Sequence, residues 1–134
     1  MIEKTFVASD SSFEEAMAFV EDQLGETGIS MKITMQVMVA FEEMYVNVCH
    51  YAYPDTEGTV LVRIDTSGGV LYITLEDSGV PFNPLERKAP DITLSAEERK
   101  IGGLGIFMVR KTMTDLKYEY KDGRNILTMI KNYE

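Results

Sequence analysis

The spacing of apolar residues along this chain switches between the two-residue step of a strand and the three-to-four-residue step of a helix, and the switches lay out its elements. Residues 3–8 alternate weakly and predict a first strand. Ser11-Ser12-Phe13-Glu14-Glu15 then supplies two overlapping capping-box patterns, and Phe13, Met17, Val20 and Leu24 recur at helical spacing, with Gly25 or Gly28 placed to end the helix. A second helix starts near Ser30, because Ile33, Val37, Ala40, Phe41, Met44, Val48 and Tyr51 form one stripe, and Pro54 stops it. Strand periodicity returns over residues 59–65 and 70–76 around a Ser67-Gly68-Gly69 turn.

Residues 77–101 are polar, charge-rich and interrupted by Pro81, Pro84 and Pro90, a pattern that fits a mobile flap better than a buried element. Gly102-Gly103-Leu104-Gly105 opens a helix running to about Met113, and residues 116–121 and 124–131 close the chain as a hairpin around Asp122-Gly123. The order β-α-α-β-β-loop-α-β-β predicts an α+β fold, a two-layer sandwich with helices on one face of a mixed, mostly antiparallel sheet. At 134 residues, one domain spanning 1–134 is the expectation.

Composition narrows the function more than the fold. A net charge of −9, from 22 acidic against 13 basic residues, argues against nucleic acid as a partner, because most faces would repel a phosphate backbone. Cys49 is the one cysteine and His50 the one histidine, which excludes an internal disulfide, a Cys-built zinc site and a His-rich metal site. The lone cysteine fits a reducing compartment, and without a leader pattern or a long apolar run the expected location is the cytoplasm, with no membrane partner.

Three clusters could carry chemistry. Glu43 and Asn47 stand one helical turn apart on the flank of the apolar stripe, while Glu42 points toward water. An amide oxygen can ligate Mg²⁺ and a carboxylate can accept a proton, although an i, i+4 Glu/Asn pair also occurs on solvated helix flanks. Asp77-Ser78-Gly79 ends an apolar strand. There an ionised Asp accepts hydrogen bonds only, as the exocyclic amine of adenine requires, and Gly79 leaves room for a flat ring. Asp-x-Gly is equally a common turn. Gly102, Gly103 and Gly105 free the backbone at a helix start where amide N–H groups attract phosphate, or else act as a flexible joint. No Gly-Lys-Ser/Thr follows, so this is not a Walker loop.

Taken in order, Glu43-x-x-x-Asn47, Asp77-x-Gly79 and Gly102-Gly103-x-Gly105, with Tyr51-Ala52-Tyr53-Pro54 and the ending Gly123-Arg124-Asn125-Ile126-Leu127-Thr128-Met129-Ile130-Lys131, closely resemble the anti-sigma-factor serine/threonine kinases. These belong to the ATP-binding superfamily of gyrase, the Hsp90 chaperones, histidine kinases and MutL. The resemblance covers residues 2–131 and implies a Bergerat-type fold that binds ATP and Mg²⁺. It implies that Asn47 ligates Mg²⁺, Glu43 is the general base, Asp77 binds the adenine amine and Gly79 shapes that pocket. Gly102, Gly103, Leu104 and Gly105 would admit the phosphates, residues 85–101 would form the nucleotide lid, and Thr128 would support the adenine through water.

The implied partners are an anti-sigma-factor antagonist protein as substrate, a sigma factor that the kinase sequesters, and a second copy in a homodimer. The sequence departs from many relatives at Tyr51, where a histidine is frequent. An ATP-dependent binding module that transfers no phosphate to protein is the alternative reading.

Overall fold

A computed structural model describes residues 1–86 and 103–134. It runs β1 (Ile2–Val7), α1 (Phe13–Glu26), α2 (Met31–Tyr51), β2 (Thr59–Ser67), β3 (Val70–Asp77), α3 (Gly103–Thr112), β4 (Asp115–Lys121) and β5 (Arg124–Asn132), with short 3₁₀ turns at Asp10–Ser12 and Pro84–Glu86. The five strands form one sheet in the order β1-β2-β3-β5-β4, and its four pairings are all antiparallel. The expected mixed sheet is therefore corrected. One crossover helix would have returned β2 parallel to β1, whereas two helices in succession bring it back antiparallel. At the other side, β5 inserts between β3 and β4.

The helices cover one sheet face. Val60, Val62 and Ile64 of β2, Leu71, Ile73 and Leu75 of β3, and Leu127 and Met129 of β5 are buried beneath Val37, Ala40, Phe41, Met44, Tyr45 and Val48 of α2. The alternating residues Arg63, Tyr72, Thr74, Glu76 and Thr128 lie on the opposite face, where Arg63 and Arg124 pair with Glu76. Both hairpin turns use left-handed backbone, at Gly68 and Gly69 (φ 56° and 80°) and at Asp122 and Gly123 (φ 53° and 78°), which fits the twist of the flanking strands.

The helix ends show where local rules yield to packing. Ser30 caps α2 by accepting from the Ile33 N–H at 3.3 Å. Ser12, at the N-cap of α1, makes no cap bond, so the capping box expected there does not form. Its hydroxyl turns to the Val7 carbonyl at 2.5 Å, the Ser9 carbonyl at 2.9 Å and the buried Tyr45 hydroxyl at 2.5 Å. Both carbonyls can only accept, so the single serine proton goes to them and Tyr45 donates to Ser12. Of the two glycines offered to end α1, Gly25 stays inside the helix and Gly28 adopts φ 75° beyond it.

Candidate functional site

Among the described residues four polar side chains are buried, and three of them, Asn47, Asp77 and Asn125, line one pocket. They arrive from α2, the end of β3 and the start of β5, and Val48, Ala52, Leu75, Phe82, Tyr118 and Leu127 complete the wall. The pocket encloses about 310 Å³ including the part open to solvent, yet its side chains leave room for little more than a water molecule. Phe82, one of the lining residues, is stacked on Tyr51 with centroids 5.0 Å apart.

Helix geometry sets the first pair. Asn47 is 2% exposed, and its Nδ2 donates to the Glu43 carbonyl at 2.7 Å and to Glu43 Oε1 at 3.1 Å. Glu43 is half-buried while Glu42 is exposed, as the projection from sequence expected. Because Nδ2 is spent on Glu43, the atom that would ligate a cation is Oδ1. Among the described residues no group of three or more His, Cys, Asp or Glu side chains could hold a metal ion. A single amide oxygen is a donor that Mg²⁺ can take beside phosphate oxygens and water.

Asp77 ends β3, where Gly79 N–H and Asn125 Nδ2 both donate to its Oδ1, each at 2.9 Å. Oδ2 receives no hydrogen bond among the described residues. Burial pushes the carboxyl above its usual range, and the Asn125 and Gly79 hydrogen bonds pull it part of the way back. What remains exposed to a ligand is one carboxylate oxygen, an acceptor suited to an amine.

Gly79 is needed for a reason other than the one expected. A Cβ there would lie 2.2 Å from the Ala52 carbonyl oxygen, so the space is filled by the end of α2 rather than reserved for a ring. Val80 N–H donates to that same oxygen at 2.8 Å. Tyr53 pins the same junction, its hydroxyl donating to the Thr59 carbonyl at 2.7 Å and accepting from the Ser78 N–H at 2.9 Å.

Thr128 does not join the site. It lies on the outer sheet face, its hydroxyl 3.4 Å from that of Thr74 in the neighbouring strand. Asn125, which pairs in register with Asp77, occupies the inner face instead. The sequence reading assigned Asn125, Tyr118 and Phe82 no role. A signal for Asn125 existed, since it shares strand parity with Leu127 and Met129, but Ile126 and Ile130 make the opposite face look equally apolar.

Gly103, Leu104 and Gly105 form the first turn of α3, which packs against α2. Gly102 and residues 87–101 of the expected lid lie outside the described residues. His50 is exposed, 3.1 Å from Asp10 and not among the residues lining the pocket, and burial raises the Cys49 thiol to about 11, which disfavours a thiolate nucleophile. No described helix is long and apolar enough to cross a membrane.

Residues 6–131 match the family described as Histidine kinase-like ATPase domain. The chain is similar to the serine-protein kinase RsbW of Listeria monocytogenes, 28% identical over 105 residues that cover 75% of this chain and 67% of the relative. It is similar to RsbW of Bacillus mycoides, 25% identical over 83% of this chain and 70% of the relative, and to the serine/threonine-protein kinase BtrW of Bordetella bronchiseptica, 22% identical over 75% and 71%. Among solved structures, the Acinetobacter baumannii histidine kinase AdeS shares the fold at a TM-score of 0.56 and 9% identity, covering 100% of this chain and 70% of that one. The Erythrobacter litoralis blue-light activated histidine kinase also has a TM-score of 0.56, at 16% identity over 78% of this chain and 32% of that one. This chain belongs to the histidine kinase-like ATPase domain family.

Proposed function

We propose that this member of the histidine kinase-like ATPase family binds ATP with Mg²⁺ and transfers the γ-phosphate to a serine or threonine hydroxyl of a partner protein. The observation that carries the reading is the convergence of buried Asn47 and Asp77 on one pocket, with Glu43 held one helical turn from Asn47. Asp77 Oδ2 accepts from the adenine amine, and Asn47 Oδ1 ligates the cation. Bound there, Mg²⁺ would supply neutralisation of charge on the phosphate oxygens. The first turn of α3, with Gly103, Leu104 and Gly105, offers backbone N–H groups to the phosphate oxygens.

Glu43 takes the proton from the attacking hydroxyl. As that oxygen bonds to the γ-phosphorus, the bond to the bridging oxygen breaks and ADP leaves. The partner is an anti-sigma-factor antagonist, and the kinase sequesters a sigma factor as a homodimer in the cytoplasm. Relatives named serine-protein kinases support the kinase part of this reading, and the partners rest on the resemblance carried by the ordered motif set.

The test is incubation with labelled ATP, Mg²⁺ and candidate antagonist proteins from the same genome, comparing wild type with Glu43→Ala. Label on a partner serine or threonine that vanishes in the variant supports the kinase. ATP bound with no transfer to any candidate points to the binding module instead.

A further inference from the structure

Asn125 is 4% exposed and uses its whole hydrogen-bonding capacity. Nδ2 donates to the Val80 carbonyl at 2.8 Å and to Asp77 Oδ1 at 2.9 Å, while Oδ1 accepts from the Phe82 N–H at 3.1 Å and from the Tyr118 hydroxyl. A carbonyl can only accept and a backbone N–H can only donate, so Val80 and Phe82 alone fix which way the amide points. Asp77 therefore faces a donor, and the orientation cannot reverse without taking their partner from two part-buried backbone groups.

We propose that Asn125 is the positioning residue for purine selectivity, holding Asp77 as a pure acceptor so that the pocket takes a 6-amino purine and rejects a 6-oxo purine. This rests on the reading of the pocket as an adenine site. With Oδ1 saturated by Asn125 and Gly79, any base meets Oδ2. An amine donates to that oxygen. A ring carbonyl sets acceptor against acceptor in a buried site and leaves both unpaired. Without the amide donor, burial favours a proton on the Asp77 carboxyl, and its O–H then donates to a ring carbonyl, so discrimination collapses.

The isosteric pair Asn125→Thr and Asn125→Val separates this role from packing. The two differ by one hydroxyl, which in the threonine variant can donate to Asp77. Calorimetry with Mg²⁺ compares ATP with ITP, whose base carries a carbonyl in place of the amine. Wild type and Asn125→Thr are expected to favour ATP by roughly tenfold or more, and Asn125→Val by no more than about threefold. A purely structural role would weaken both nucleotides together and leave the ratio alone.

If Asn125→Val does not fold, Asn125→Leu, of similar shape and with no donor, is expected to lose the preference in the same way. An unchanged ratio in the donor-less variant, beside a wild type that prefers ATP, overturns the role of Asn125 alone. A wild type that binds neither nucleotide overturns the ATP reading, and this inference with it.

Discussion

Gly79 meets the end of α2 so closely that a Cβ would stand 2.2 Å from the Ala52 carbonyl oxygen. Backbone, not a movable side chain, bars the way. Gly79→Ala must push β3 away from α2 and break the Val80 to Ala52 hydrogen bond of 2.8 Å. Overpacking of this kind costs roughly 1–3 kcal/mol. Chemical denaturation is expected to show that loss, together with weakened nucleotide binding, because Asp77 lies two residues away on the displaced segment.

Asp77 is expected to trade stability for function. Its folded carboxyl binds a proton more readily than the unfolded one, because burial outweighs the hydrogen bonds from Asn125 and Gly79. A raised folded value contributes stability that is fully present below about pH 4, the unfolded value, and is lost as pH rises through the folded value. Asp77→Asn keeps the oxygen that Gly79 and Asn125 donate to and removes the buried charge. Melting at pH 7.5 is expected to find the variant at least as stable as wild type, with wild type gaining on it as pH falls toward 4, while ATP affinity drops by roughly tenfold or more.

Glu43→Gln separates binding from transfer. The glutamine retains an oxygen for Asn47 Nδ2, which now accepts from Asn47 at 3.1 Å, but it cannot take a proton from a hydroxyl. Nucleotide affinity should hold near the wild-type value while phosphate transfer falls by about a hundredfold or more. A variant that transfers at the wild-type rate would remove Glu43 as the base.

The Ser12–Tyr45 hydrogen bond ties the start of α1 to the core face of α2. Burial lifts the Tyr45 hydroxyl to about 12 despite its hydrogen bond with Ser12, so the phenol stays neutral and donates to the Ser12 hydroxyl. Ser12→Ala leaves that hydroxyl orphaned among Phe6, Phe13 and Phe41, a loss of roughly 1–3 kcal/mol. Adding Tyr45→Phe removes the orphaned group, and the double variant is expected to melt above Ser12→Ala alone.

The sequence by itself determined what short-range geometry controls. Glu43 and Asn47 had to share a helix face because four residues span about one turn, and the Gly68-Gly69 and Asp122-Gly123 pairs had to turn the chain because their backbones are left-handed. The tertiary structure decided which strands meet. β5 lies between β3 and β4, so Asp77 faces Asn125, and Thr128 falls on the far side of the sheet. Both parities of β5 carry apolar residues, so the choice of face came from burying Leu127 and Met129 in the core that the helices share with the sheet, residues distant in sequence from α1 and α2. The same holds for Gly79, whose missing side chain answers to Ala52, and for Ser12, whose hydroxyl answers to Tyr45. Spacing within an element is encoded locally, whereas a partner across the core is chosen by the burial of the whole face.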